Sequence, residues 1–300
     1  MTSNQWWRDA VVYEVYPRSF ADGDGDGVGD INGVRARLDY LVDLGIDAIW
    51  LTPWYASPMA DGGYDVADYR SIADELGTLA DAEALIAEAA QRGIRTIIDI
   101  VPNHVSVEHA WFQEALAVPA GAPERERFWF QPKTSAAMPT QWRSEFGGDT
   151  WTSVTGPDGV TEWYLHIFSV DQPDLNCGHA DVRAEFEDVL RFWLDRGVAG
   201  VRVDSAALLE KDPALPEEPD PGEPRAHPFK DRPAVHDIYR SWRRVVDEYE
   251  PARMLVGEVW LDDAERIDTY VRPDELHMAF NFDLLTCPWE ERDLRDCIDR

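Results

Sequence analysis

Lysine is nearly absent: Lys133, Lys211 and Lys230 are the only three in 300 residues. With 28 basic residues against 58 acidic ones, the formal net charge is −30. Such a surface repels nucleic acid and anionic membranes, which excludes the usual electrostatic route to either partner. No apolar run approaches the roughly 20 residues needed to span a bilayer. The start, Met1-Thr2-Ser3-Asn4-Gln5, has neither a basic nor an apolar region, so no signal peptide is expected. Cysteine is scarce and odd in number. Cys177, Cys287 and Cys297 lack metal-site spacing, the usage of a cytoplasmic protein with free thiols. No glycine-rich phosphate loop follows any strand-like segment, which counts against nucleotide binding.

What is present is an alternation of apolar strands and helical patterns. Strands are expected at Val11 to Tyr16, Ala48 to Thr52, Arg95 to Val101, Gly200 to Asp204 and Met254 to Trp260, with a sixth at Met278 to Phe282. Between them lie helical patterns: Val34, Leu38, Leu41, Val42 and Leu44; then Asp81 to Arg92, Asp181 to Arg196 and Val235 to Tyr249. Apolar strands alternating with helices argue for a parallel sheet covered on both faces. The rhythm breaks after Asn103 and resumes near Cys177. The intervening stretch holds five of the thirteen tryptophans and many turn residues. The organisation expected is therefore a parallel α/β sheet of about six strands, either a (β/α)8-type barrel or an open doubly wound sheet: a first part over 1–104, an inserted domain over 105–177 after the third strand, and a continuation over 178–300.

Suspicious polar residues cluster just after strands. In Gly200-Val-Arg-Val-Asp204, side chains alternate, so Arg202 and Asp204 face the same way. An arginine beside a carboxylate favours its ionised form, the state a nucleophile needs; alone, the pair is equally a structural ion pair. In Met254-Leu-Val-Gly-Glu-Val-Trp260, Glu258 has apolar neighbours, and desolvation favours the protonated state of a general acid. Two carboxyls with opposed environments are the equipment for cleaving a glycosidic bond. His104 follows the third strand, and Tyr64 and Asp65 follow the second; by themselves these are equally a structural histidine and a polar turn. Phe146, Trp151, Trp163 and Phe168 in the insert offer faces for stacking on sugars, or core. The segment Asp212 to Pro233 holds seven prolines and is expected as a surface loop over the exit of the fourth strand.

The run Asp22-Gly-Asp24-Gly-Asp26-Gly-Val28-Gly-Asp30 alternates acids with flexible glycines. It begins like a calcium-binding EF-hand loop, but its twelfth position is Gly33, where that loop places a bidentate glutamate. Four carboxylates this close repel one another without a cation, so a Ca2+ or Mg2+ site is expected here, with an acidic turn as the alternative.

Together Asp99-Ile-Val-Pro-Asn-His104, Gly200-Val-Arg-Val-Asp204 and Gly257-Glu258-Val-Trp resemble three of the four hallmark segments of the α-amylase superfamily, glycoside hydrolase family 13. Gly27-Val-Gly-Asp-Ile-Asn-Gly33 and Gln172-Pro-Asp-Leu-Asn176 add two more. The last is similar to the form found in oligo-1,6-glucosidases and α-glucosidases. The resemblance implies a (β/α)8 barrel with an inserted domain B after the third strand, with Asp204 as nucleophile and Glu258 as acid/base. Arg202 and His104 would hold the sugar, with Asp65 on its far hydroxyls and Tyr64 beneath its ring, while Phe168 and Gln172 would line the aglycone side. Asp22, Asp24, Asp26, the Val28 carbonyl and Asp30 match the family's structural cation loop. The family's fourth hallmark, an Asn-His-Asp, does not follow Phe282. The chain thus reads as the N-terminal part of such an enzyme, not expected to be competent alone. The function implied is a retaining α-glucosidase acting on short α-glucosides. The alternatives are a glucoside isomerase or transglycosylase of the trehalose synthase or sucrose isomerase type, and a non-catalytic sugar-binding fragment.

Overall fold

The computed structural model describes residues 5–220, 226–261 and 263–299. Residues Met1 to Asn4 of the leader reading and residues 221–225 of the proline-rich loop lie outside the described residues. Among the described residues eleven strands occur in chain order: β1 (Val12–Val15), β2 (Ala48–Leu51), β3 (Tyr55–Ala56), β4 (Asp68–Ile72), β5 (Arg95–Ile100), β6 (Phe130–Pro132), β7 (Trp151–Thr155), β8 (Thr161–Leu165), β9 (Gly200–Val203), β10 (Met254–Gly257) and β11 (Met278–Ala279). Six of them form one parallel sheet in the order β1-β2-β5-β9-β10-β11. Strands that neighbour in both sequence and space, joined by helical crossovers, are the construction of a (β/α)8 barrel. Among the described residues β1 and β11 are the sheet's edges.

Alternation divides this sheet cleanly. Ile49, Leu51, Ile98, Ile100, Val201, Val203 and Leu255 face the helices and join the main core. There they meet Leu85, Ile86 and Ala89 of the helix Leu79–Gln91, and Val189, Leu190 and Trp193 of the helix Ala180–Leu194. Each fully buried aliphatic side chain in this layer contributes about 1.5–3 kcal/mol. The other row, Ala48, Ile97, Met254 and Val256, packs with Trp7 in a separate cluster. By the same two-residue period this second row continues to Asp99, Arg202, Asp204 and Glu258 at one end of the strands. It runs back to Arg95 at the other.

Two local expectations are corrected. The helical pattern at 34–44 breaks at Arg37 into the helices Ile31–Ala36 and Leu38–Leu44. The break turns the second helix so that Leu38 and Leu41 point inward, while Val42 and Leu44 are 41% and 49% exposed. The sixth strand is only the two residues Met278–Ala279. Asn281 ends it by capping a new helix, Phe282–Thr286, its side chain accepting from Leu284 N at 3.1 Å.

Within 105–177 the chain forms a three-stranded antiparallel sheet, β6-β8-β7, and also a helix, Ala110–Ala117. Isolated bridges His104↔Asp174 and Phe128↔Leu175 return it to the rim of the parallel sheet. The described parts of the proline-rich loop pack across this unit. Trp142 Nε1 donates to Pro216 O at 2.8 Å, and Gln141 N donates to Glu217 at 2.9 Å. Phe229 packs on Trp142 with ring centroids 4.9 Å apart.

Candidate active site

Arg202 is the hinge of the site. Its Nη1 donates to both oxygens of Asp99 at 2.8 and 2.9 Å and to Asp204 Oδ1 at 2.8 Å, and its Nη2 donates to Glu258 Oε2 at 2.6 Å. Register explains the first contact, because Asp99 and Arg202 are cross-strand partners in the β5–β9 ladder. Arg202 and Asp204 share a face, and Glu258 reaches the cluster from the end of β10. Three carboxylates thus converge on one cation. They cannot all keep their charge cheaply, which favours the protonated forms of Asp99 and Glu258. Burial pushes Asp99 up to about 8, although Arg202 pulls it down. Burial, then the charge of Asp204, also raises Glu258 above the usual carboxylate range.

The turn after β9 shapes the two catalytic candidates. Ser205 has φ of +48°, a left-handed backbone rarely adopted by non-glycine residues. In that conformation its N–H donates to Glu258 Oε2 at 2.9 Å, while its Oγ donates to Asp204 Oδ2 at 2.8 Å. Trp260 Nε1 donates to the other Glu258 oxygen at 2.9 Å, and its ring stacks on Phe282 at 3.6 Å between centroids. Gly257, just before the acid, allows close packing. A Cβ there would fall 2.5 Å from Leu276 Cδ1.

A cleft of about 370 Å3 opens beside these groups, lined among others by Phe168, Ser205, Lys230, Glu258 and Trp260. On the other side of Arg202 and Glu258, a second space of about 680 Å3 is lined by Trp50, Phe280 and Phe282. Sequence-chosen residues divide between cleft and frame. Phe168 lines the cleft, and Tyr64 lies against Arg202, with its hydroxyl 3.2 Å from Asp99 Oδ2. His104, Gln172 and Asp65 are brought close by but are buried, with partners inside the protein. Gln172 Nε2 donates to His104 Nε2 at 3.0 Å and to Asp61 at 2.8 Å, and burial pushes His104 down to about 4, so its ring is neutral. Asp65 accepts from Ser57 Oγ, Ala60 N and Asp61 N at 2.9–3.0 Å. Of the insert's aromatics, Trp151 is core and Trp163 lies under Lys133, whereas Phe146 is 60% exposed and packs edge-on to Phe168.

Sequence reading missed Asp99 and Trp260 as members of the site, and also the support behind His104. Lys211 is fully buried; its Nζ donates to Asn103 Oδ1 at 2.6 Å and pairs with Asp174 at 2.8 Å. Asn103 in turn contacts His104 Nδ1 at 3.3 Å and donates to Asp174 at 3.1 Å. The available signal for Asp99 was its odd-numbered spacing on β5, which puts it on the Arg95–Ile97 row.

The acidic loop stands apart, and none of its residues lines the cleft. Asp22, Asp24 and Asp30 each offer an oxygen, the three lying within 4.8 Å of one another. Asp22 accepts from Gly25 N and Gly27 N, which hold it below its usual range. Asp26 accepts from Val28 N at 2.7 Å. Asp30 caps the helix Ile31–Ala36 by accepting from Gly33 N at 2.7 Å. Gly33 replaces the EF-hand glutamate for a steric reason: a Cβ there would fall 1.9 Å from Ala21 O.

The sequence matches the family described as alpha amylase, catalytic domain, over residues 14–295. The chain belongs to that family. Trehalose-6-phosphate hydrolase of Escherichia coli (strain K12) is 43% identical over 280 residues, covering 92% of this chain and 49% of that protein. Oligo-1,6-glucosidase of Parageobacillus thermoglucosidasius is 41% identical over 302 residues, 97% of this chain and 52% of the relative. The chain spans about half the length of these curated relatives. Among solved structures, the alpha-glucosyl transfer enzyme XgtA superposes with a TM-score of 0.89 at 37% identity, covering 98% of this chain and 58% of that one. Trehalulose synthase MutB gives 0.88 at 37% identity, covering 98% and 55%.

Proposed function

We propose that the protein carrying this chain is a retaining α-glucosidase for short α-glucosides. Asp204 attacks the anomeric carbon while the protonated Glu258 gives its proton to the departing glycosidic oxygen. Glu258, now a carboxylate, then takes a proton from water, whose oxygen displaces Asp204 and releases the sugar. The observation that carries this reading is the clasp of Asp204 and Glu258 by one guanidinium. Retaining enzymes keep their carboxyls about 5–5.5 Å apart, a scale compatible with a shared guanidinium. The names of the oligo-1,6-glucosidase and trehalose-6-phosphate hydrolase relatives support glucoside cleavage.

Glu258→Gln tests the assignment. We expect kcat/KM on maltose to fall by about 10²–10⁴. The alkaline limb of the pH profile is expected to vanish as well. The sign follows from the active form: the acid must be protonated, burial raises its pKa, and activity is lost as pH rises through that value. A variant with an unchanged profile and rate would remove Glu258 from the mechanism. A protein that binds maltose yet does not cleave it would favour the sugar-binding reading.

A second reading, transfer of glucose to a sugar acceptor, is supported by the similarity to XgtA and to trehalulose synthase. The same glucosyl–Asp204 ester serves both, and product analysis at high sugar concentration separates them.

The loop Asp22 to Asp30 is proposed to hold one structural Ca2+, or Mg2+, through the carboxylates of Asp22, Asp24, Asp26 and Asp30 and the Val28 carbonyl. The three converging oxygens of Asp22, Asp24 and Asp30 fit a hard cation. Chelation is expected to lower Tm by several degrees while leaving the catalytic carboxylates in place. An unchanged Tm would make the loop an acidic turn.

A further inference from the structure

We propose that the end of the parallel sheet opposite the carboxylate site carries a binding cleft for a small phosphate-bearing anion. The cleft has a volume of about 530 Å3, and Trp6, Arg95, Thr96, Ala252 and Arg253 contribute to its wall. Arg95 begins the row that ends in Asp99, with the buried Ile97 between them, so this cleft and the active site are at opposite ends of one strand. Not one residue of its lining is acidic, in a chain where acids outnumber bases 58 to 28.

The two arginines differ from several others nearby. Arg35, Arg70, Arg92, Arg191 and Arg196, on the surrounding helices and strands, all pair with carboxylates. Neither the Arg95 nor the Arg253 guanidinium makes a hydrogen bond or ion pair among the described residues. Arg95 lies over the Trp6 ring at 4.8 Å, and Trp6 is pinned by its Nε1 donating to Ala252 O at 3.1 Å. Arg253 is half-buried beside Tyr249, and its Nε is enclosed without a partner. Thr96, 2% exposed, likewise has an unpartnered hydroxyl. A partly desolvated cation without a counter-charge is costly, and burial already lowers the pKa of Arg253.

The unspent donors define the ligand chemistry. Guanidinium forks match phosphate oxygens in pairs, and the chain has many carboxylates of its own but places none here. The Trp6 ring offers a flat apolar face for an organic body. A large polyanion is disfavoured by the net charge of −30, which leaves a small phosphate or phosphomonoester.

The test is thermal denaturation and calorimetric titration of the full chain with inorganic phosphate, glucose 6-phosphate and, as control, glucose, at constant ionic strength. About 10 mM of a phosphate-bearing ligand is expected to raise Tm by roughly 2–4 °C. Glucose is expected to do nothing. A shift with inorganic phosphate assigns the site to the free ion, and a shift with glucose 6-phosphate alone assigns it to a phosphomonoester. The Arg95→Ala/Arg253→Ala double variant should bind at least tenfold more weakly, whereas Arg37→Ala, another arginine without an ion pair outside this cleft, should bind as before. If the double variant fails to fold, Arg95→Ala alone, at an exposed position, should still weaken binding at least threefold. No shift with either phosphate, or the same shift in the Arg95 variants, overturns the proposal.

Discussion

Asp204→Asn is expected to lower kcat/KM on maltose by about four orders of magnitude or more in the protein carrying this chain, with no loss of stability. The geometry separates the two effects. Asp204 is buried, with one oxygen held by Arg202 Nη1 and the other by Ser205 Oγ, both at 2.8 Å. Asparagine retains an oxygen for the guanidinium and presents an amide N–H to the serine hydroxyl, so the local packing survives. It also removes one negative charge from a cluster in which three carboxylates share one arginine, which relieves repulsion. What it cannot do is form a glucosyl ester. Melting curves and initial rates on the same preparations check both halves. A variant that keeps more than a tenth of wild-type activity would contradict the assignment.

Arg202→Met is expected to damage activity and fold together. Removing the guanidinium leaves Asp99, which is 1% exposed, facing Asp204 and Glu258 with no counter-charge. Breaking a buried ion pair from one side costs about 3–5 kcal/mol, a fall in Tm of roughly 6–15 °C for a chain of this size. The deficit should depend on pH with a definite sign. Without Arg202 the carboxyls of Asp99 and Glu258, already raised by burial, rise further, so the variant's native state keeps its protons to higher pH than the wild type's. Stability relative to wild type is therefore lost as pH rises through the wild-type native values, which lie above the usual carboxylate range and at about 8 for Asp99, and the deficit grows toward alkaline pH. Arg202→Lys should fall between the two. Its single nitrogen cannot reproduce the Nη1 contacts to Asp99 and Asp204 together with the Nη2 contact to Glu258. Thermal denaturation across roughly pH 5–10 is the measurement, and a pH-independent difference would show that the cluster is not charge-coupled.

Much of this was legible in the sequence because period-two patterning carries both fold and site. Apolar strands such as Arg95–Ile100 and Met254–Gly257 announce a doubly covered parallel sheet, and the polar residues just past their ends announce the rim. The short hallmark segments then locate Arg202, Asp204 and Glu258 without any tertiary information. The rest depended on register and on packing between distant segments. Asp99 becomes part of the site only because β5 and β9 pair so that it faces Arg202. Ser205 matters through a backbone angle that no residue identity encodes. His104, Gln172 and Asp65 read as sugar ligands from short segments, but their hydrogen bonds to one another, to Asp61, Ser57 and nearby backbone, depend on tertiary packing that the sequence does not show. The sixth strand was overdrawn because Met278 to Phe282 is apolar apart from Asn281, and the helix cap at that residue decides where it ends.

The most direct test of the account is to catch the covalent intermediate. The protein is incubated with a 5-fluoro-α-glucosyl fluoride, whose ring fluorine slows both ester formation and hydrolysis while its fluoride leaving group keeps formation the faster step, then digested and mapped by mass spectrometry. The account predicts one fluoroglucosyl unit on the peptide containing Asp204, with fragment ions placing it on that residue, and no adduct in Asp204→Asn. Turnover of the reagent without any adduct, or a sugar carried by Asp99 or Glu258 instead, would contradict it.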